Sequence, residues 1–208
     1  MLNNIQFVKR ICDKDALLVD MSALALFIGM FECFAKTVIQ RVEVFFCDPP
    51  GKGYFAKRRR IKYQKRIKNR VVDKNGNRDT LKASMLWFSD VGAITEEQYE
   101  YFLHLKKLRN SCAHEMTQYI WEGLPQNFAH DLIGLFDLFA AIDRWWINEV
   151  EIPISGKDVA PGYDEERVMS LSLIAFGVSI KALYCGNSEE YLQQIDELLI
   201  SMGINGDT

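Results

Sequence analysis

Arg109, Asn110 and His114 carry the side chains best suited to hold a phosphate and move a proton. They fall in Leu105-Lys106-Lys107-Leu108-Arg109-Asn110-Ser111-Cys112-Ala113-His114-Glu115, and His114 is one of only three histidines in 208 residues. On a helix Asn110 and His114 are an i, i+4 pair and share a face. Arg109 precedes His114 by five positions, roughly 140° round the axis, so the two do not stack. Both reach one phosphate only if the helix distorts, or if a second copy of the motif faces the first. Imidazole titrates near neutral pH, which suits acid–base work beside a fixed arginine. Arg and His are also ordinary on a solvated helix surface. Here the apolar repeat Tyr99, Phe102, Leu105, Leu108 runs into the motif, and Cys112, Ala113 and Met116 interleave with it, which argues for a half-buried face.

A second chemistry lies upstream. Residues 52–82 hold 13 Lys or Arg against 2 Asp or Glu, a balance of +11, whereas the other 12 basic residues face 26 acidic ones, a balance of −14. The candidate phosphate-binding cations are Lys57, Arg58, Arg59, Arg60, Lys62, Lys65, Arg66, Lys68 and Arg70. Cations at this density track a phosphate backbone, and the interleaved Tyr54, Phe55 and Tyr63 offer rings for unpaired bases. RNA or another polyanion is the expected partner, set against a merely solvated or protein-contacting arm. The composition also fits a nuclear-import signal.

The elements that must position these groups read as helices. Residues 13–46 form one long helix or two closely joined, capped by Asp13 or Asp15 and ended by Asp48-Pro49-Pro50-Gly51. Nearly every side of it is apolar, as expected of a central core helix. One stripe differs: Ser22, Ala25, Gly29, Glu32, Lys36, Gln40 and Glu43, small at first and polar later. Close packing through the small half, with the polar half at solvent, is the favoured reading; the sharper one has Glu32 reaching toward Arg109 and His114. The basic segment 51–79 is an insert or arm, helical or hairpin-like before the Asn75-Gly76 turn. Asp79 or Thr80 caps a short helix to Gly92, and Thr95-x-x-Gln98 is a capping box that opens the motif helix. That helix is expected to run to about Trp121, before Gly123-Leu124-Pro125. An apolar helix follows Asn127 or Asp131. Residues 151–163 read as a loop, leading to C-terminal helices within 164–203, the first starting at Asp164. The chain is read as one all-α domain over 1–208.

Composition narrows the rest. An ordinary apolar fraction with many aromatics supports a packed core. Cys12, Cys33, Cys47, Cys112 and Cys185 are scattered and odd in number, which fits free thiols in a reducing compartment. There is no signal-peptide pattern, and the apolar run Ala16 to Phe34 is broken by Asp20 and Glu32, so no membrane span is expected and the location is read as cytoplasmic. Cys112 and His114, two apart, point about 200° from each other on a helix and cannot pair as nucleophile and base. His104, His114 and His130 supply too few metal ligands at helical spacing, so neither metal nor cofactor is expected. Gly51-Lys52-Gly53 lacks the spacing of a phosphate loop.

Leu108-Arg109-Asn110-Ser111-Cys112-Ala113-His114 resembles the Arg-x(4–6)-His signature of the HEPN superfamily, in the form with Asn directly after Arg. The order of helices around it is similar to the mannitol repressor branch over about residues 15–185. The resemblance implies a HEPN-like bundle, often dimeric, with the basic insert after the first long helix and a C-terminal helical extension. It implies a metal-independent endoribonuclease of toxin–antitoxin or phage-defence type, with Arg109 and His114 as the catalytic pair, Asn110 in support, and a protein antitoxin or regulatory partner. Met116 departs from a branch that has Tyr in His-x-Tyr, so control through such a tyrosine is not expected. The mannitol repressor branch implies the competing reading, a non-catalytic regulator that binds protein or nucleic acid.

Overall fold

The computed structural model describes residues 8–10, 12–47, 54–156, 159 and 162–185, and its regular elements are helical. The first long helix, α1 (Lys14–Cys47), is the axis of the molecule. Asp13 caps it by accepting the Ala16 amide at 3.1 Å. At 1.5 Å per residue its 34 residues extend about 51 Å. Its buried positions Ala23, Phe27, Met30, Phe34, Val38 and Val42 recur at three- and four-residue steps, so one face is continuous core. By length and composition alone this helix could cross a membrane; in the structure it is the helix that most others pack against.

Around it stand α2 (Tyr54–Tyr63), α3 (Thr80–Asp90), α4 (Glu96–His114), α5 (Met116–Glu122), α6 (Phe128–Trp146), the four-residue α7 (Ile152–Ser155) and α8 (Leu171–Cys185). Among the described residues the architecture is all-α; one isolated bridge, Val72 with Arg78, closes a turn. In that turn Asp73 accepts the Asn75 and Asn77 amides, each at 2.8 Å. The aromatic core is set by shape. Phe34 meets Phe31, Phe102 and Phe139 at centroid distances of 5.9, 6.2 and 5.5 Å, joining α1, α4 and α6. Trp145 and Trp146 belong to a second aromatic group with Trp87 and Phe88.

Four expectations about the elements need correction. The motif helix stops at His114 instead of Trp121, because Glu115 (φ −113°, ψ 21°) breaks the helical run before α5 starts. Residues 151–156 are not loop: α6 runs through a π turn, Ile147–Glu151, into α7, and the run ends at Gly156, whose φ of 61° is left-handed. The helix expected from Asp164 starts at Leu171. Asn148 and Arg144 take the Glu165 and Glu166 carbonyls at 3.1 and 3.0 Å, holding that stretch as a turn. The small half of the α1 stripe is not packed: Ser22, Ala25 and Gly29 are all exposed, and a Cβ at Gly29 would meet nothing within 4 Å. The segment Asp48–Gly51 and the helix expected over 189–202 lie outside the described residues.

Buried charge ties the far end together. Asp143 on α6 is fully buried and accepts Arg41 Nη2 at 2.5 Å and the Ser170 amide at 2.7 Å. Arg41 also lies over the Trp146 ring, 5.5 Å from its centroid. One carboxylate thus fixes α1, α6 and the start of α8 at once.

Candidate functional site

The capping box predicted at Thr95 is present and sets the register of α4: Thr95 Oγ1 accepts the Gln98 amide at 3.2 Å, and Gln98 Oε1 accepts the Thr95 amide at 2.9 Å. With that start fixed, Phe102, Leu105 and Cys112 turn into the core. Arg109, three and four positions from Cys112 and Leu105, comes out on the edge facing α1.

There it meets Glu32. Arg109 Nε donates to Glu32 Oε1 at 2.7 Å, Nη2 donates to the same oxygen, and Nη1 donates to Asn110 Oδ1 at 3.2 Å. These bonds use three of the five guanidinium N–H groups. Glu32 sits in the exposed polar half of the α1 stripe, and the structure brings it to Arg109 as the sharper reading required. The side chains are 31% and 54% exposed, so the pair is screened and adds about 0–1 kcal/mol to stability. Its effect is on orientation: the guanidinium plane is set while the head stays open to solvent.

His114 closes α4 at its last residue and is exposed, as are Asn110 and Glu115. The break at Glu115 lies at the start of α5, where the Glu115 carbonyl accepts the Gln118 and Tyr119 amides at 2.9 and 3.2 Å. Arg109 and His114 lie on the same helix end but do not converge, as their spacing demands. Cys112 is fully buried, and burial pushes its thiol up to about 11, which removes it as a nucleophile at neutral pH.

The basic segment is a built element rather than a loose arm. The helix α2 continues as a π turn, Gln64–Lys68, closed by the Asn69 amide on the Gln64 carbonyl at 2.9 Å. Tyr63 and Ile67 point into the core and pin the segment to α1 and α3. Tyr63 is therefore not a stacking ring for a base: it is 2% exposed, with Phe46 at 6.2 Å and Lys68 5.2 Å above its ring. Lys57, Arg58, Arg60, Lys62, Lys65 and Arg66 are exposed, Arg59 and Lys68 half-buried. Arg70 is engaged by Asp90 through both Nη atoms, one of them at 2.9 Å.

No family model, curated protein or solved structure matches the chain.

Sequence reading missed two polar clusters. Asp131, nearly buried in the first turn of α6, accepts from the Tyr101 hydroxyl at 3.1 Å and lies 2.9 Å from His104 Nε2. Burial, with that bond to Asp131, raises the Tyr101 phenol well above its ordinary range. The other cluster is Arg41–Asp143. It borders a cavity of about 280 Å³ whose lining includes Gln40, Arg41, Trp146 and Glu151. Both join residues 27 to 102 positions apart, and no local spacing signals such pairs. Among the described residues no group of three or more His, Cys, Asp or Glu is placed to hold a metal ion.

Proposed function

We propose that the chain is a metal-independent endoribonuclease of HEPN type, cytoplasmic and active as a homodimer. The observation that carries this reading is the Arg109 guanidinium. Glu32 and Asn110 hold it from behind, and two N–H groups remain for a phosphate at the same helix end as exposed His114. A bound, oriented arginine is suited to phosphorane charge because no reorganisation is needed as that charge develops.

The reaction is intramolecular in the RNA. A ribose 2′-oxygen bonds to the adjacent phosphorus while the bond from phosphorus to the 5′-oxygen of the next nucleotide breaks. One proton leaves the 2′-hydroxyl and one arrives on the 5′-oxygen, yielding a 2′,3′-cyclic phosphate and a 5′-hydroxyl. His114 takes the first proton and the partner's His114 supplies the second, which is why a two-fold pair completes the site. Arg109 binds the phosphate, Asn110 and Glu32 position it, and the α2 cations hold the RNA backbone. Such an enzyme would serve as a toxin or phage-defence component with a protein partner that restrains it.

One observation favours a second reading, a non-catalytic regulator similar to the mannitol repressor branch. The basic face of α2 is a separate element and needs neither Arg109 nor His114 to hold a polyanion. Incubation with single-stranded and structured RNA in a chelator separates the two. The nuclease reading expects cleavage that disappears in His114→Ala with helicity unchanged. RNA left intact at high protein concentration removes it and leaves the regulator.

A further inference from the structure

We infer that the solvent face of α2 and its π turn is a docking surface for the backbone of double-helical nucleic acid. This rests on the polyanion reading above and narrows it. Tyr63 and Ile67 commit one side of the segment to the core and leave Lys57, Arg58, Arg60, Ile61, Lys62, Gln64, Lys65 and Arg66 exposed. Six of these fall into two rows, Lys57–Ile61–Lys65 and Arg58–Lys62–Arg66, because positions four apart on a helix are neighbours about 6 Å from each other; Arg60 and Gln64 flank them. Each row is thus about 12 Å long, and the rows lie roughly 100° apart round the axis. A helix with its side chains is about 10–12 Å across, so rows 100° apart stand about 8–9 Å from each other, a gap that outward-reaching Lys and Arg side chains widen toward the roughly 12 Å between the phosphate rims of a B-form major groove. One row presents three cations and the other two, on either side of Ile61, so each rim has cations to meet it. A single strand offers one line of phosphates and leaves a row without partners.

The rings and the charges agree with this. Unpaired strands are held largely by stacking bases on aromatic faces. Tyr63, in the middle of the segment, is in the core, and among the described side chains the exposed ring is Phe55, at 73%, at the N-terminal end. No Asp or Glu lies between Asp48 and Asp73 to oppose a phosphate. A helix that lies in a bilayer surface buries its apolar face in lipid; here that face is already spent on α1 and α3. Because the segment is docked before it binds, little ordering entropy opposes association.

The test is fluorescence anisotropy of the full chain with duplexes and single strands of equal length, as DNA and as 2′-O-methyl RNA, beside vesicles of phosphatidylserine. The modified RNA lacks the attacking hydroxyl, so binding is read whether or not the protein is a nuclease. Duplex is expected to bind about tenfold tighter than single strand, with a log–log salt slope of about −4 to −5 for five cations. Arg58→Gln/Lys62→Gln/Arg66→Gln, which strips one row, is expected to weaken duplex binding about tenfold or more and to flatten the slope by about 3. Phe55→Ala is expected to leave duplex affinity within about twofold, since phosphate contacts carry it. Because the groove width is that of the B form, the DNA duplex is expected to bind more tightly than the A-form RNA duplex, whose major groove is deep and narrow, and the reverse order overturns the groove fit. Single strand bound as tightly as duplex, or most affinity lost with Phe55→Ala, overturns the duplex assignment and leaves the polyanion reading standing. An unchanged slope in the row variant, or binding to vesicles alone, overturns both.

Discussion

Asp143→Ala should be the most damaging single change at the far end of the bundle, and its cost follows from the geometry. The carboxylate is fully buried and satisfies Arg41 Nη2 and the Ser170 amide. Its removal leaves an arginine, 13% exposed, with no ion partner in the interior. Breaking a buried pair from one side costs about 3–5 kcal/mol, and orphaning the Ser170 amide adds about 1–3 kcal/mol, not additively. A loss of about 4 kcal/mol is expected, or roughly 8–16 °C in Tm for a chain of this size. Urea denaturation followed by circular dichroism reads it as a lowered midpoint, with an increased susceptibility of α8 to proteolysis because its first turn is released. Arg41→Met/Asp143→Leu should recover most of the loss, since well-packed apolar residues replace a buried pair at little cost. A single variant within about 1 kcal/mol of wild type would refute the claim that this carboxylate fastens three helices.

Three further outcomes follow. Glu32→Gln should change stability by less than about 1 kcal/mol, because the pair is exposed, yet slow RNA cleavage about tenfold with KM little altered by loosening Arg109; an unchanged kcat would show that Glu32 does not position the arginine. A Cβ at Gly134 would stand 2.3 Å from the Tyr101 hydroxyl, so Gly134→Ala should cost about 1–3 kcal/mol and free Tyr101 from Asp131, read as an earlier alkaline titration of tyrosine absorbance. Burial pushes the Tyr63 phenol up to about 12 from its ordinary value near 10, with Glu43 adding to the shift. Between those values the unfolded chain has released a proton that the folded chain keeps, so stability should fall as pH rises through that window, and Tyr63→Phe should flatten the fall.

The elements legible in the sequence are those fixed by local rules. The Thr95–Gln98 box and the cap of α3, expected at Asp79 or Thr80 and found at Asp79, each depend on neighbours within one turn, and each appears. The contact from Glu32 to Arg109 is the less favoured of the two readings of that stripe, because a polar side chain on an otherwise apolar helix needs either a partner or solvent; Glu32 has both, being 54% exposed and bonded to Arg109. What escaped was set at long range. Nothing near Asp164 announces that Arg144 and Asn148 will take its neighbours' carbonyls and delay α8. The break at Glu115 has no glycine or proline to mark it. The burial of Tyr63 had a trace, its i, i+4 spacing to Ile67, but the surrounding cations concealed a face that only packing on α1 reveals.

The central claim is that Arg109 and His114 form a cleaving site across two copies of the chain. A subunit-mixing experiment tests it most directly, in a chelator, with RNA cleavage as the readout. His114→Ala and Arg109→Ala should each be inactive alone. In the proposed site, where Arg109 and two His114 side chains act as one constellation, equal amounts of wild type and His114→Ala should show activity falling with the fraction of mixed dimers, below the half expected of independent subunits. Activity of half the wild-type value, from subunits that cut alone, would contradict the shared site, and cleavage that persists in His114→Ala would contradict the role of the histidine itself.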